Sequence, residues 1–169
     1  MTDAPPPNGA PNAAQPPLVI NGQYVKDLSF EVPGAPEIFR HAGETQDIPI
    51  GIDVKTRHLD GRTYEVVLHL RAEAKTAGRT GFILEVAYGA VCTLNVPDQH
   101  LHPVMLVEVP RQIFPFVRNI VADLTRDGGF PPLLITPIDF GELYRQRLAQ
   151  QAAAAQPGAE GASSPTAGS

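Results

Sequence analysis

Residues 82–94, FILEVAYGAVCTL, constrain the fold more than any other stretch of this chain. Phe82, Leu84, Val86, Tyr88, Ala90, Cys92 and Leu94 recur with the period of two that marks a strand. The alternate positions, Ile83, Glu85, Ala87, Gly89 and Val91, are polar only at Glu85. A strand apolar on both sides has to be covered on both. One layer of helices covers one side of a sheet, so the second cover is expected from another subunit.

Three more strands are predicted. In the first, which opens the ordered region near Leu18, Tyr24, Lys26, Leu28 and Phe30 alternate with Val25, Asp27, Ser29 and Glu31. Pro33, Gly34 and Pro36 end it, and a short helical turn follows at 37–41. In the second, over 47–57, Ile48, Ile50, Ile52 and Val54 share one side, and Pro49, Gly51, Asp53 and Lys55 the other. A proline inside a strand places it at a sheet edge, where no ladder donor is missed. Asp60-Gly61 signals a hairpin. The third strand then sets Tyr64, Val66, Leu68, Leu70, Ala72 and Ala74 against Glu65, His69, Arg71, Glu73 and Lys75, with its charges read as solvated. A turn at 78–81 leads into the strand described first.

Helices follow. At roughly 100° per residue, Ile113, Phe114, Phe116, Val117, Ile120, Val121 and Leu124 fall within about 160° of arc. Thr125 joins the polar residues opposite. Leu106 and Val109 are in phase with that stripe, so the helix is expected to begin upstream, after Pro97. Pro115 lies on the polar side, where it bends the helix convex to solvent. A second helix is predicted with Thr136 as N-cap, Pro137 in its first turn, Asp139 completing a capping box, and Ile135 stapled to Phe140. Between the two, Phe130, Pro131, Pro132, Leu133, Leu134 and Ile135 form an oily loop. Such a loop either packs over the core or forms one lip of an apolar groove. Four strands followed by two helices on the sheet make an α+β domain.

Residues 1–17 hold six of the 18 Pro and almost nothing to bury, and 151–169 are rich in Ala, Gly and Ser, so both read as disordered tails around one domain, 18–150. A net charge of −5 argues against a nucleic-acid binder, which needs a basic footprint. No run of 18 apolar residues predicts a membrane span, and the first residues lack the basic and apolar regions of a signal peptide. With a single cysteine, Cys92, no internal disulfide forms, and a cytoplasmic address fits. The five histidines show no metal-ligand spacing, Cys92 lies on a core-facing strand position, and no catalytic constellation is present. Neither an enzyme nor a cofactor is expected. What remains is surface chemistry: an oily loop beside the Ile48/Ile50/Ile52 strand, and the carboxylates Asp27, Glu31 and Glu85. A closed core with scattered solvated charges is the simpler reading from the residues alone.

Three segments add a resemblance. QYVKDLSFEVPGAPEIF, FILEVAYGAVCTL and EVPRQIFPFVRNIVADLTRDGGFPPLLITPIDFGELY resemble, in that order, the bacterial SecB protein-export chaperones, over about residues 22–150. The RDGGFPPL form is similar to the alphaproteobacterial branch. The resemblance implies a four-stranded antiparallel sheet with two C-terminal helices packed on one face, assembled as a homotetrameric dimer of dimers. It implies a cytoplasmic, cofactor-free chaperone that holds unfolded secretory precursors in apolar grooves and delivers them to the SecA motor ATPase. The groove maps to Ile48, Ile50, Ile52, Phe130, Leu133 and Ile135, with Phe140 and Tyr144 added from the second helix. The SecA-docking face maps to Asp27, Glu31, Ile83 and Glu85. The rival within this architecture is a SecB-like chaperone dedicated to one client, such as an antitoxin.

Overall fold

The computed structural model describes residues 15–41, 47–76 and 78–154, so most of both expected tails lies outside the described residues. Four strands, β1 (Leu18–Glu31), β2 (Ile50–Asp60), β3 (Thr63–Thr76) and β4 (Arg79–Leu94), form one antiparallel sheet in the order β1-β4-β3-β2. Gly61 and Gly78 take positive φ (51° and 72°) at the two hairpins, a backbone that costs glycine nothing. The second turn is tighter than expected. Strand pairing resumes at Arg79, and Gly81 lies inside β4.

The doubly apolar strand, β4, is central, between β1 and β3. Leu84, Val86, Tyr88, Ala90, Cys92 and Leu94 are buried on the side that carries the helices. Part of the cover on the other side comes from the chain itself. Tyr24 lies across Gly89 so closely that a Cβ there would sit 2.6 Å from the phenol ring. Ala87 and Val67 are buried beside it.

That arrangement requires β1 to change phase. A register shift between Val25 and Asp27 makes a bulge at Lys26. Tyr24, opposite Gly89, and Lys26 therefore share the open face with Asp27, Ser29 and Glu31, while Val25 pairs with Tyr88 on the helix side. Strict alternation put Tyr24 and Lys26 with Leu28 and Phe30, and the bulge overturns it. β2 also differs from expectation at its start. Pro49 cannot donate to the ladder, so the strand begins at Ile50, with Asp47 making one isolated bridge to Lys75. Ile48 precedes the strand, half-buried against the core.

One helical run covers the other side. α1 (Asp98–Pro103) passes through a π turn (Val104–Glu108) into α2 (Val109–Asp127). The wide turn keeps Met105, Leu106, Val109, Ile113, Phe114, Val117 and Val121 all directed inward. Pro115 is exposed, as its position predicts, but Phe116 is 48% exposed rather than part of the core. Thr125, expected on the polar face, is fully buried. Its Oγ1 donates to the Val121 carbonyl (2.9 Å) and accepts from the Leu133 amide (2.9 Å), which fastens the loop to the end of α2.

α3 (Phe140–Ala154) starts three residues later than Thr136 would place it. Asp139 is the cap: its Oδ1 accepts from the Glu142 amide (2.9 Å), a bond that holds its carboxyl below the ordinary range. Residues 131–139 form no regular secondary structure, and the helical segment reaches Ala154, into the stretch expected as a tail. Only Phe140 of the α3 stripe is buried, against Phe114; Leu143 and Leu148 are exposed.

Candidate functional site

Two surfaces on opposite sides of the sheet bring together residues singled out from the sequence. On the helix side, β2 turns Ile50, Ile52 and Val54 toward α3. Between strand and helix lies a depression of about 290 Å3, with Ile52, Val54, Leu106, Phe140, Leu143 and Tyr144 as its apolar lining. Arg147 closes its rim. Its guanidinium donates to the Val54 carbonyl (3.0 Å) and lies 3.3 Å from the Asp53 carboxylate. One turn earlier on α3, the Tyr144 hydroxyl is 3.2 Å from His102 Nδ1.

Of the eight groove candidates, Ile52, Phe140 and Tyr144 meet in this depression. Ile50 is the next inward-pleated residue of β2 and is 38% exposed. Leu133 is half-buried near Thr125. Phe130 and Ile135 point into the core, Phe130 joining a chain of rings with Phe39, Phe82 and Phe30. The loop residue that does face outward is Leu134, at 66% exposure. Sequence reasoning passed over it, although the signal was present. Loops run over the surface, so a run of three apolar residues in one leaves at least one facing outward.

On the open face, Asp27, Glu31, Ile83 and Glu85 occupy one side of adjacent strands. Asp27 pairs with Ala87, Ser29 with Glu85, and Glu31 with Ile83. Asp27 and Glu31 thus flank the row that holds Glu85. Among the described residues, no cation lies in ion-pair range of Asp27 or Glu31, whereas Glu85 is bonded to Arg71, its neighbour on β3. A depression of about 550 Å3 runs from Asp27 and Glu85 across the sheet to Asp53, with Gly51 and Ala87 in its lining.

Beside it lies a group that the sequence reading left solvated. Glu65 is 3% exposed. Lys26 Nζ (2.6 Å) and Arg57 Nε (2.9 Å) bond its carboxylate, as does the Tyr24 hydroxyl. The Lys26 and Tyr24 bonds pull its pKa down to about 2 and outweigh its desolvation. The same bond to Glu65 raises the Tyr24 phenol. These contacts explain why β1 bulges at Lys26: both side chains must reach Glu65 from the open face.

Among the described residues no three His, Cys, Asp or Glu side chains gather as a metal site. Burial pushes the Cys92 thiol up to about 11, away from reactivity. No helix among the described residues is long and apolar enough to cross a membrane.

Comparison with known proteins gives one consistent result. The profile of the family described as preprotein translocase subunit SecB matches residues 11–151. The protein-export protein SecB of Rhodospirillum rubrum is 55% identical over 152 residues, covering 90% of this chain and 94% of the relative. That of Paramagnetospirillum magneticum is 54% identical over 151 residues, covering 89% and 95%. Among solved structures, a Mycobacterium tuberculosis SecB-like chaperone, in complex with a peptide from an antitoxin, superposes with a TM-score of 0.61. It covers 72% of this chain and 90% of that one. At 13% identity this last likeness speaks for the fold alone. A profile match over most of the length, relatives above half identity and the shared sheet-and-helix fold agree: the chain belongs to the SecB family of protein-export chaperones.

Proposed function

We propose that this chain works in the cytoplasm as a homotetramer, a dimer of dimers, that holds unfolded secretory precursors along its helix-side apolar surface and hands them to SecA at the opposite sheet face. The observation that carries the reading is the separation of two unlike surfaces by one sheet. Ile50, Ile52, Leu134, Leu143 and Tyr144 offer apolar area on the helix side. Asp27, Glu31 and Glu85 offer carboxylates on the other. A client segment and a basic partner can then be engaged at once.

No bond need be made or broken. An unfolded precursor exposes apolar side chains, and covering them gains roughly 25 cal/mol per Å2, much of it offset by ordering the client. Apolar burial is non-directional, so selectivity among precursors is low. Several modest sites on one tetramer then hold a long chain by avidity. The tetramer is supported by a second apolar surface. Val25 (46% exposed) and Leu28 (40%) on the helix side of β1, with Phe116 on α2 (48%, stacked on Tyr88), stay about half exposed in the described chain and suit a second copy. The carboxylate face suits a cationic segment of SecA, and such docking weakens with salt. The chain's net charge of −5 gives nucleic acid nothing to bind.

Light scattering for mass, with and without a urea-unfolded secretory precursor, tests the whole reading. A tetramer that gains the mass of the precursor is expected. A monomer that ignores it would overturn the proposal.

A further inference from the structure

Resting on the docking face proposed above, we infer that Arg71 is a built-in competitor for that face: it occupies Glu85 and sets how tightly and how salt-sensitively a basic partner binds. The argument starts from register. Glu85 stands on β4 with Ser29 of β1 on one flank and Arg71 of β3 on the other. Asp27 and Glu31 lie to either side of Ser29, so the three carboxylates form a triangle with a guanidinium beside its Glu85 corner. Arg71 borders the same depression as Asp27 and Glu85. It bonds Glu85 and lies 3.7 Å from Glu73, which is itself 4.0 Å from Lys75.

The three carboxylates are therefore not equivalent to an incoming cation. Asp27 and Glu31 carry no counter-charge among the described residues and meet a partner with full strength. Glu85 has to exchange Arg71 for the partner's group, and an exchange of one exposed ion pair for another gains little. Strands stand about 4.8 Å apart, which puts Arg71 roughly 10 Å from β1, near the screening length at physiological salt. Its charge is consequently felt at Asp27 as well in low salt and fades there as salt rises. The pair itself is exposed on both sides (55% and 48%), so removing Arg71 frees Glu85 without opening the core.

The test measures affinity of the full-length tetramer for purified SecA across a salt series. Arg71→Gln is expected to bind about two- to fivefold tighter at low salt. Its affinity should also fall more steeply with salt, because one more carboxylate is available for pairing. Arg71→Lys should restore wild-type affinity and slope. In the Arg71→Gln background, Glu85→Gln should cost more affinity than it does in the wild type, since only there is Glu85 open to the partner. Asp27→Lys serves as the reference. If it abolishes binding while Arg71→Gln changes neither affinity nor salt slope, the role of Arg71 is refuted and the docking face stands. If Asp27→Lys also leaves binding unchanged, the docking face falls and this inference with it.

Discussion

Replacing Glu65 with Gln keeps the shape of the side chain and deletes the charge around which Tyr24, Lys26 and Arg57 converge. The folded protein lowers the Glu65 pKa from the ordinary 4.5 to about 2. At about 1.4 kcal/mol per tenfold change in proton affinity, that is at most about 3 kcal/mol of stability from the ionised form. Lys26 and Arg57 are 43% and 66% exposed, so solvent screens part of it, and about 2 kcal/mol is the working expectation. For a chain of this size that corresponds to a fall in Tm of about 4–8 °C. The sign of the pH dependence follows from a depressed folded-state pKa. The contribution is complete above pH 4.5 and is lost as the pH falls through about 2. Thermal melts of wild type and Glu65→Gln, at one protomer concentration so that assembly does not shift the midpoint, should show a wide gap at pH 7 that narrows between pH 4.5 and 2. The same variant should bind SecA more weakly, because Glu65 holds the bulge that turns Asp27 and Glu31 to the open face. A gap under 1 °C at pH 7, or one of constant width down to pH 2, would refute the reasoning.

Three other outcomes are expected. Thr125→Val removes the acceptor of the buried Leu133 amide and should cost about 1–3 kcal/mol in urea unfolding, with a matching loss of precursor holding as the loop loosens. Gly89→Ala forces the Tyr24 ring off the sheet and should lower stability by about 1–3 kcal/mol, a loss that Tyr24→Ala in the same chain should partly relieve. Ile50→Asp, and separately Leu134→Asp, should weaken capture of an unfolded precursor about fivefold while light scattering still reports an intact tetramer. Unchanged capture by either variant removes that residue from the client surface.

Much of this architecture was legible because its signals are local. The period-two pattern of 64–75 and 82–94 needs no partner to be read, and neither does the helical stripe from Ile113 to Val121. Most departures arise where a distant residue decides. The β1 bulge is set by Glu65, 39 residues beyond Lys26 and two strands away. Thr125 is a reasonable solvent-facing residue until the loop returns to use its hydroxyl. Thr136 and Asp139 are both competent caps, and the structure chose the one whose carboxylate reaches the Glu142 amide. The apolar loop was visible as composition, but which residues it turns inward depends on the Phe30–Phe82 cluster waiting for Phe130. The carboxylate face was readable as spacing, whereas its inequality was not, because the counter-charge on Glu85 comes from a neighbouring strand.

The strand order carries a last consequence, one of timing. β2, β3 and β4 follow one another through two tight turns and can zip as soon as they are made, but β1 pairs only with β4. Asn21 of β1, for example, meets Thr93 across 72 residues of intervening chain. At a synthesis rate of roughly 5–20 residues per second, the first strand made waits on the order of several seconds for its only partner. Until it arrives, the nascent subunit displays an unpaired apolar strand and an open sheet edge. A protein devoted to keeping other chains from premature aggregation thus passes, during its own birth, through the kind of state it exists to protect.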